Sequence, residues 1–372
     1  MLILLKILAD EHIYKLKEFL PEEVELSLFN PSAPLPSLNG FDVLLVRTVT
    51  KLNSKSLQRI PDTLKFIGTG SSGSDHIDIE YFNDHNVCVV DAKGSNANAV
   101  SEYVITSLLL WSLKRQKELK SLKVGIIGAG AAGTAVSRQL TNFNINSLSY
   151  DPPREQRDNS YESASLKDIL KCDILTFHVP LNKNSDHPTF HWLDESKLSN
   201  NSFELVINAS RGGVIDESAL LKALDNETVS DVIIDVWEDE PDFNNDLVEK
   251  AFIATPHIAG YSEQAKLNAS LILAEKLCAF FKLTIPDYSY LYAAKKLELA
   301  HIKFSLYDLI LRLHPLKEYD ADIRDLCQRP DKDILFQKLR TDRPYRYEYP
   351  YLKLENGFLG KFSELKKLGL EL

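Results

Sequence analysis

Three side chains suited to acid–base and anion-binding chemistry follow predicted strands in the second half of the sequence: Arg211, Glu240 and His257. A histidine titrates near neutral pH and can take a hydroxyl proton. An arginine fork can hold a carboxylate, and a carboxylate against one imidazole nitrogen can orient the ring. Together these groups suit the oxidation of a 2-hydroxy acid, in which a base removes the hydroxyl proton as hydride leaves C2.

Each of these residues also has a simpler interpretation when it is taken alone. His257 is then a loop imidazole without a role, and Arg211 is a surface salt-bridge residue. The adjacent acids Glu238, Asp239 and Glu240 leave open which of them pairs with His257. The combination of three suitable groups favours catalysis, and the two glycines after Arg211 (Gly212 and Gly213) indicate a backbone kept open for a ligand.

A glycine-rich turn precedes these residues and predicts a dinucleotide site. Gly128, Gly130 and Gly133 have the Gly-x-Gly-x-x-Gly spacing, and they lie between a predicted strand (124–127) and a predicted helix (131–140). The first glycine permits a sharp turn, the second lets a diphosphate approach the backbone, and the third lets helix and strand pack closely. The pyrophosphate would meet the free amides at the start of the helix.

The next predicted strand (145–150) ends at Asp151, eighteen residues after Gly133. A carboxylate at this position can accept hydrogen bonds from the ribose hydroxyls of the adenosine half, and it would repel a 2′-phosphate. The sequence therefore favours NAD over NADP. Two observations keep other interpretations open: Asp151 could instead cap the turn at Pro152, and Arg154 could meet a phosphate.

The composition is that of an ordinary globular protein. The chain has 372 residues, of which 44% are hydrophobic, and its formal net charge is −10. The acidic balance, without a long basic tract, argues against nucleic acid as a partner. The apolar stretch at residues 2–8 is too short for a membrane span. The four scattered cysteines have neither metal-ligand nor disulfide spacing, so we expect a cytoplasmic protein without a metal site or membrane contact.

Strands alternating with helices predict an α/β fold with two doubly wound parallel-sheet domains. Residues 1–96 would form a smaller substrate, or lid, domain completed by residues 260–285, and residues 97–259 a Rossmann NAD-binding domain. Within these domains we predict long helices over 97–120 and 263–281. The sequence changes character near Pro286, and residues 286–372 would form a C-terminal α+β domain that serves as an oligomerisation or a lid element.

The motifs, in this order, resemble the D-isomer-specific 2-hydroxyacid dehydrogenase family over about residues 6–281. Besides the turn and the three catalytic candidates, the segments 46–51, 66–76, 150–154, 173–181 and 255–261 carry the resemblance, which continues into 319–322 and 336–340. The resemblance implies NAD as cofactor, a small phosphorylated 2-hydroxy acid as substrate, and a homodimer made by the C-terminal domain over residues 286–372. It implies that Arg211 binds the substrate carboxylate, that Glu240 is the acid paired with histidine and that His257 is the acid/base.

The resemblance also implies the binding residues. Cofactor contacts are implied at Asp151, Val179, Ala209, Ser210, Arg211, Asp235 and Gly260, and substrate contacts at Thr48, Ser71 and Tyr261. A substrate phosphate needs cations, and Arg47 and Lys51 are our candidates, with Arg343 and Arg346, in this chain or its partner, as alternatives. Two other functions remain open: a dehydrogenase of another acid, such as glycerate or 3-phosphoglycerate, and an NAD-sensing corepressor on the same fold.

Overall fold

The computed structural model describes residues 4–297, 305–354 and 362–370, which fall into two compact units. The first unit comprises the chain up to Asn96 together with Ser262–Ala293, and the second comprises Ala97–Tyr261 together with the described residues from Ala294 onward. The sequence predicts a separate domain over residues 286–372, whereas most of the described residues in this range belong to the unit that carries the glycine turn.

The first unit contains a parallel five-stranded sheet in the order β2-β1-β3-β4-β5. Its strands and its small helix are β1 (Leu5–Asp10), β2 (Val24–Phe29), β3 (Val43–Val46), β4 (Phe66–Thr69), α1 (Ile79–Asp84) and β5 (Cys88–Asp91). The central strands β3 and β4 are buried at every residue, as expected for a sheet covered on both faces. The edge strand β2 alternates polar and apolar residues along part of its length and is only partly buried, as expected at the edge of a sheet.

The second unit contains a parallel six-stranded sheet in the order β11-β10-β9-β8-β6-β7. Its elements are α2 (Ala97–Arg115), β6 (Lys123–Ile127), α3 (Ala131–Asn142), β7 (Asn146–Tyr150), α4 (Pro152–Glu155), α5 (Leu166–Ile169), β8 (Ile174–Phe177), α6 (Glu195–Ser199), β9 (Phe203–Asn208), α7 (Glu217–Asp225), β10 (Val229–Ile234), α8 (Asn245–Lys250) and β11 (Ile253–Ala254). The strand order reverses beside β6, which is the point where a doubly wound sheet binds its ligand. The predicted α/β fold class is therefore confirmed.

Two long helices match the predictions to different degrees. The helix α9 (Glu263–Phe281) has the predicted bounds, begins at the N-cap Ser262, and packs Leu273 and Leu277 against the sheet of the first unit. The helix α2 ends at Arg115, five residues before the predicted end. The backbone turns there, since Gln116 has a positive φ of 56°.

The C-terminal residues pack into the two hydrophobic cores of the second unit. Their elements are β12 (Lys295–Leu297), α10 (Leu306–Leu313), α11 (Leu316–Leu326), α12 (Lys332–Thr341), β13 (Leu352–Leu354) and α13 (Ser363–Lys367). Ile323 and Phe336 lie in one core with residues of β8–β10, while Leu309 and Tyr349 lie in the other with residues of α2. Arg324 donates to the carbonyl oxygens of Val248 and Ala251, both at 2.7 Å.

In the described part of the chain, no helix is both long and apolar enough to cross a bilayer. The described residues also contain no group of three His, Cys, Asp or Glu side chains placed to hold a metal ion.

Candidate active site

The sheet of the second unit places Arg211, Glu240 and His257 after three neighbouring strands. Arg211 follows β9, Glu240 follows β10, and His257 follows β11. Because parallel strands end at the same edge of a sheet, the loops that carry these residues are neighbours. The sequence predicted that these residues follow strands, and the strand order places the three loops side by side.

His257 is held by Glu240. The imidazole Nδ1 lies 2.7 Å from Oε2 and 3.0 Å from Oε1 of Glu240, and Glu240 also accepts a hydrogen bond from the Trp237 amide at 3.1 Å. With Nδ1 donating to the carboxylate, Nε2 is the nitrogen that can exchange a proton with a substrate. The alternative acid Glu238 instead pairs with His191, whose Nε2 lies 2.8 Å from its carboxylate.

The charge around Glu240 favours its ionised form. Burial raises the pKa of Glu240, but the positive charges of His257 and Arg340 and the hydrogen bonds from His257 and the Trp237 amide lower it more, so the net pKa lies below its ordinary value. An ionised Glu240 stabilises the imidazolium that forms when His257 takes a proton.

Asp235 shapes the loop that carries His257. Its buried carboxylate accepts hydrogen bonds from the Thr255 hydroxyl at 2.6 Å and from the amides of Ile258 and Ala259 at 2.8 and 2.9 Å. His257 has a positive φ of 57°, an unfavourable conformation for a residue with a β-carbon, so the loop needs such support. Asp235 is only 1% exposed, and burial raises its pKa. Its contact with the cofactor remains a prediction.

The loop of Arg211 is braced by its neighbours. Arg211 donates from Nη1 to the carbonyl oxygen of Ser210 at 2.8 Å, while Asn208 accepts from the Ser210 amide and hydroxyl at 3.2 and 2.9 Å. A β-carbon on Gly212 would lie 1.7 Å from the Trp237 carbonyl oxygen. This glycine therefore lets the loops after β9 and β10 pack against each other, and its expected role of keeping the backbone open for a ligand stays a prediction.

The glycine turn has the shape that a pyrophosphate requires. Gly128 has a positive φ of 92°, and a β-carbon on Gly133 would lie 1.9 Å from the Gly128 carbonyl oxygen. In contrast, nothing lies within 4 Å of a β-carbon built on Gly130, which is the N-cap of α3 and leaves its first amides without a side-chain cap. These features fit a dinucleotide whose phosphates approach Gly130 and the start of α3.

A cleft of about 480 Å³ opens beside this turn, lined by Ala97, Asn98, Gly130, Thr134, Arg138 and Arg154 among others. Asp151 accepts hydrogen bonds from the amides of Ala129 at 2.8 Å and Arg154 at 2.9 Å, so it lies against the turn and also begins α4. Both the ribose and the capping interpretations of Asp151 thus have a geometric basis. Arg154 donates to the Ala129 carbonyl oxygen at 2.7 Å and forms an ion pair with Asp158.

The remaining predicted cofactor contacts lie around these loops. Val179 packs behind the turn, where its Cγ1 would be 2.7 Å from a β-carbon on Gly128. Ala209 and Ser210 are almost fully buried next to Arg211, and Gly260 follows the amides that Asp235 holds. The structure thus places these residues on the three loops that follow β8, β9 and β11, and their cofactor contacts remain predictions.

Three of the predicted substrate residues belong to the first unit. Arg47 and Thr48 follow β3, and Ser71 follows β4, so they share one edge of that sheet. Arg47 donates from Nε to the fully buried carboxylate of Asp10 at 2.9 Å. Thr48 and Lys51 are exposed. Their substrate contacts stay predictions.

Tyr261 has a neighbour that the sequence analysis missed. Arg340 in α12 donates from Nη2 to the Tyr261 hydroxyl at 2.8 Å. The two arginines that were alternative candidates for binding the phosphate form ion pairs with carboxylates. Arg343 pairs with Glu318 and Asp322, and Arg346 pairs with Glu102. The only sequence signal for Arg340 was its place in the 336–340 segment of the resemblance, which assigned it no role.

Comparison with known proteins places this site in a family. Residues 107–259 match the family described as D-isomer specific 2-hydroxyacid dehydrogenase, NAD binding domain. Solved structures share the fold: D-lactate dehydrogenase from Aquifex aeolicus complexed with NAD and lactic acid has a TM-score of 0.60 at 24% identity, covering 74% of this chain and 95% of that one. NAD-bound 3-phosphoglycerate dehydrogenase from Entamoeba histolytica has a TM-score of 0.61 at 23% identity, and the match covers 75% of this chain and 95% of that one.

The chain belongs to the D-isomer-specific 2-hydroxyacid dehydrogenase family, and its second unit contains the NAD-binding domain of that family. Relatives that match it over nearly its whole length are named erythronate-4-phosphate dehydrogenase. The protein from Bacteroides thetaiotaomicron is 36% identical over 348 residues, which cover 92% of this chain and 97% of the relative. The protein from Proteus mirabilis is 34% identical over 360 residues, with 94% of each chain covered. These matches extend into the C-terminal residues.

Proposed function

We propose that this protein is an NAD-dependent dehydrogenase that oxidises 4-phospho-D-erythronate at C2 to 2-oxo-3-hydroxy-4-phosphobutanoate, a step of pyridoxine 5′-phosphate biosynthesis. The observation that carries the chemistry is the hydrogen bond from His257 Nδ1 to Glu240, on loops adjacent to that of Arg211 and in the unit with the glycine turn. The substrate is proposed from the name of the relatives that cover more than nine-tenths of the chain.

In this mechanism His257 Nε2 takes the proton of the C2 hydroxyl, and the resulting imidazolium is stabilised by Glu240. Arg211 binds the carboxylate and so orients C2. Bound NAD would supply the hydride acceptor that this two-electron oxidation of C2 requires. The glycine turn and Asp151 would hold the cofactor's pyrophosphate and adenosine ribose. His257 then releases its proton to solvent.

We also propose a cytoplasmic homodimer in which residues 286–372 form the subunit contact. The support for the dimer is the resemblance, since the matching relatives extend into this segment. The support for the location is that all four cysteines are free thiols, as is usual in reducing compartments.

The test is NADH formation by the purified protein, followed by absorbance. 4-Phospho-D-erythronate is compared with D-glycerate, D-lactate and 3-phosphoglycerate. In a parallel reaction a 2-oxo acid is added to reoxidise any NADH that stays bound, and the 2-hydroxy acid formed from it is measured in place of absorbance. We expect selective oxidation of 4-phospho-D-erythronate. Oxidation of only one of the other acids would retain the chemistry and overturn the substrate, and no oxidation of any acid by a protein that binds NAD would favour a sensor.

A further inference from the structure

We propose that Arg340, together with Tyr261, forms the subsite that binds the phosphate at the far end of the substrate. This inference rests on the proposed function and deepens it by assigning the group that recognises a phosphorylated acid. The residues that carry it, Arg340, Tyr261, Glu240 and His257, all belong to the second compact unit.

Arg340 is in contact with a residue next to the catalytic loop. Its Nη2 donates to the Tyr261 hydroxyl at 2.8 Å, and its Cζ lies 5.4 Å from the centre of the Tyr261 ring. Tyr261 comes four residues after His257, and its amide donates to the Ile258 carbonyl oxygen at 2.8 Å. The ring of Tyr345 contacts Tyr261 with a centroid distance of 6.3 Å. The C-terminal residues therefore supply groups around Tyr261.

The positive charge of Arg340 acts on Glu240, the partner of His257, because it contributes to lowering the pKa of Glu240. The hydrogen bonds of Glu240 nevertheless go to His257 and to the Trp237 amide, with none to Arg340. Arg340 thus acts on Glu240 through its charge, while the Glu240 carboxylate keeps its hydrogen bonds to the imidazole and the Trp237 amide.

Arg340 also differs from its neighbours in its lack of a carboxylate partner. Arg324, Arg343 and Arg346 each form ion pairs. Among the residues that the structure describes, no carboxylate forms an ion pair with Arg340, and its buried Nε has no hydrogen-bond partner. A buried donor without a partner is unfavourable, so these atoms are suited to an anion that brings its own acceptors.

The helix α12 fixes the position of this arginine. Phe336, one turn before Arg340, is fully buried and contacts Phe243 with a centroid distance of 5.6 Å. Lys332 donates to the Phe243 carbonyl oxygen at 3.1 Å and pairs with Asp242. Both contacts hold α12 against the loop that follows β10 and carries Glu240. The guanidinium is therefore positioned before any substrate binds, which reduces the ordering required on binding.

A phosphate suits these donors. A guanidinium can bind two phosphate oxygens at once, and a tyrosine hydroxyl that loses its arginine donor can donate to a third. In 4-phospho-D-erythronate the phosphate lies two carbons beyond C2. With Arg211 on the carboxylate and Arg340 on the phosphate, the two ends of the substrate would be held by different cations while C2 stays at His257.

The first test compares Arg340→Gln with Lys338→Gln, which removes one exposed positive charge from the same helix. We expect Arg340→Gln to lower kcat/KM for 4-phospho-D-erythronate by about 100-fold, mainly through KM, and to change kcat/KM for unphosphorylated D-erythronate by less than about threefold. Lys338→Gln should change neither value. Arg340→Lys, which keeps the charge without the fork, should recover part of the loss.

A role limited to positioning Tyr261 would lower kcat/KM for both acids by the same factor, and that result would overturn the proposal. A parental kcat/KM of Arg340→Gln for 4-phospho-D-erythronate would overturn the proposal as well. Far-ultraviolet circular dichroism and the Tm of each variant show whether it has folded.

The second test does not depend on turnover. Binding of inorganic phosphate is measured by calorimetry with saturating NADH, so that the dinucleotide site is occupied. Arg340→Gln should weaken phosphate binding at least about tenfold relative to the parent and to Lys338→Gln. Equal binding in all three proteins would refute the subsite. If phosphate binding depends on Arg340 but 4-phospho-D-erythronate is not oxidised, the proposed substrate fails while the phosphate subsite stands.

Discussion

At the scale of single residues, the carboxylate of Glu240 orients the His257 imidazole, a role that requires no contact between Glu240 and the substrate. Glu240 directs His257 through Nδ1, while Asp235 holds the loop in which His257 has a positive φ. Glu240 determines which imidazole nitrogen carries the proton, and Asp235 stabilises the backbone conformation of the loop that carries His257. In the proposed mechanism, the nitrogen that takes the hydroxyl proton is thereby fixed before the substrate binds.

This arrangement predicts the effect of removing the imidazole. In His257→Asn the ring that takes the hydroxyl proton is lost, while the glycine turn is untouched. We expect kcat to fall about 10²- to 10⁴-fold and the Kd for NADH, from fluorescence titration, to stay within about twofold. His85→Asn, at an exposed position in the other unit, is the control and should behave as the parent. Turnover near that of the parent in His257→Asn would refute the assignment.

A second residue-scale prediction concerns acid stability. His314 is 1% exposed, and neither ring nitrogen has a hydrogen-bond partner in the described part of the chain. Burial, with the nearby charge of Arg346, holds the pKa of His314 well below its ordinary value. The unfolded chain takes up this proton near pH 6.5 and the folded chain does not. Stability therefore falls as pH drops below about 6.5, by up to about 1.4 kcal/mol per pH unit from this group.

Chemical denaturation between pH 7.5 and 5 measures this effect. His314→Leu should reduce the pH dependence of the unfolding free energy by up to about 1.4 kcal/mol per pH unit. The control is His12→Leu, whose parent side chain is 57% exposed, and it should leave the pH dependence unchanged. Identical slopes in both variants would mean that His314 is not held neutral by the fold.

At the scale of elements, the strand ends and the glycine turn could be predicted from the sequence because their signals are local. Apolar runs define the strands, and the spacing of Gly128, Gly130 and Gly133 defines the turn before α3. The role of Gly212 could not be predicted in this way. Its steric neighbour is Trp237, on the loop after the next strand, so only the folded sheet shows why a side chain is not tolerated.

Substitution by alanine should affect cofactor binding at Gly130 and folding stability at Gly212, because a β-carbon has space at the first position and none at the second. A methyl group on Gly130 meets nothing within 4 Å, so Gly130→Ala should keep the unfolding free energy within about 0.5 kcal/mol. It occupies the space expected for the pyrophosphate, and the Kd for NADH should increase at least about tenfold. Gly212→Ala should instead destabilise the protein by about 1–3 kcal/mol, because its methyl would overlap the Trp237 carbonyl.

Denaturant titration and NADH fluorescence titration of the two variants separate these effects. A Gly130→Ala protein that binds NADH as the parent does would place the pyrophosphate elsewhere. A Gly212→Ala protein of parental stability would show that the two loops can move apart without cost.

At the scale of the whole molecule, the sequence did not predict where the C-terminal residues pack. The sequence predicts an α+β domain over residues 286–372, and the described part of this range contains helices and a pair of short strands. Residues far apart in sequence decide where it packs: Phe336 enters the core formed by β8–β10, and Arg340 reaches Tyr261. Periodicity indicates which helix face is apolar, but it does not indicate which partner covers that face.

This packing changes what truncation should do. If residues 286–372 formed a separate dimerisation domain, deletion after Pro286 would leave a monomer. In the structure the deletion would remove Phe336 and Tyr349, which are fully buried, and would expose the cores beneath them. We now expect the truncated chain to lose cooperative unfolding and NADH binding, because each large core side chain contributes about 3–5 kcal/mol. A truncated chain with the parental Tm and NADH affinity would contradict this expectation.

The proposed dimer must therefore be tested on the intact chain. Sedimentation equilibrium should give twice the chain mass of 42.1 kDa, and a mass of one chain at micromolar concentration would refute the dimer. The variant Phe336→Ala separates folding from assembly, since its side chain is buried within its own subunit. It should lower the unfolding free energy by about 3–5 kcal/mol and leave the mass that of the dimer under native conditions. Dissociation of a still folded Phe336→Ala protein would instead place the subunit contact on the α12 face.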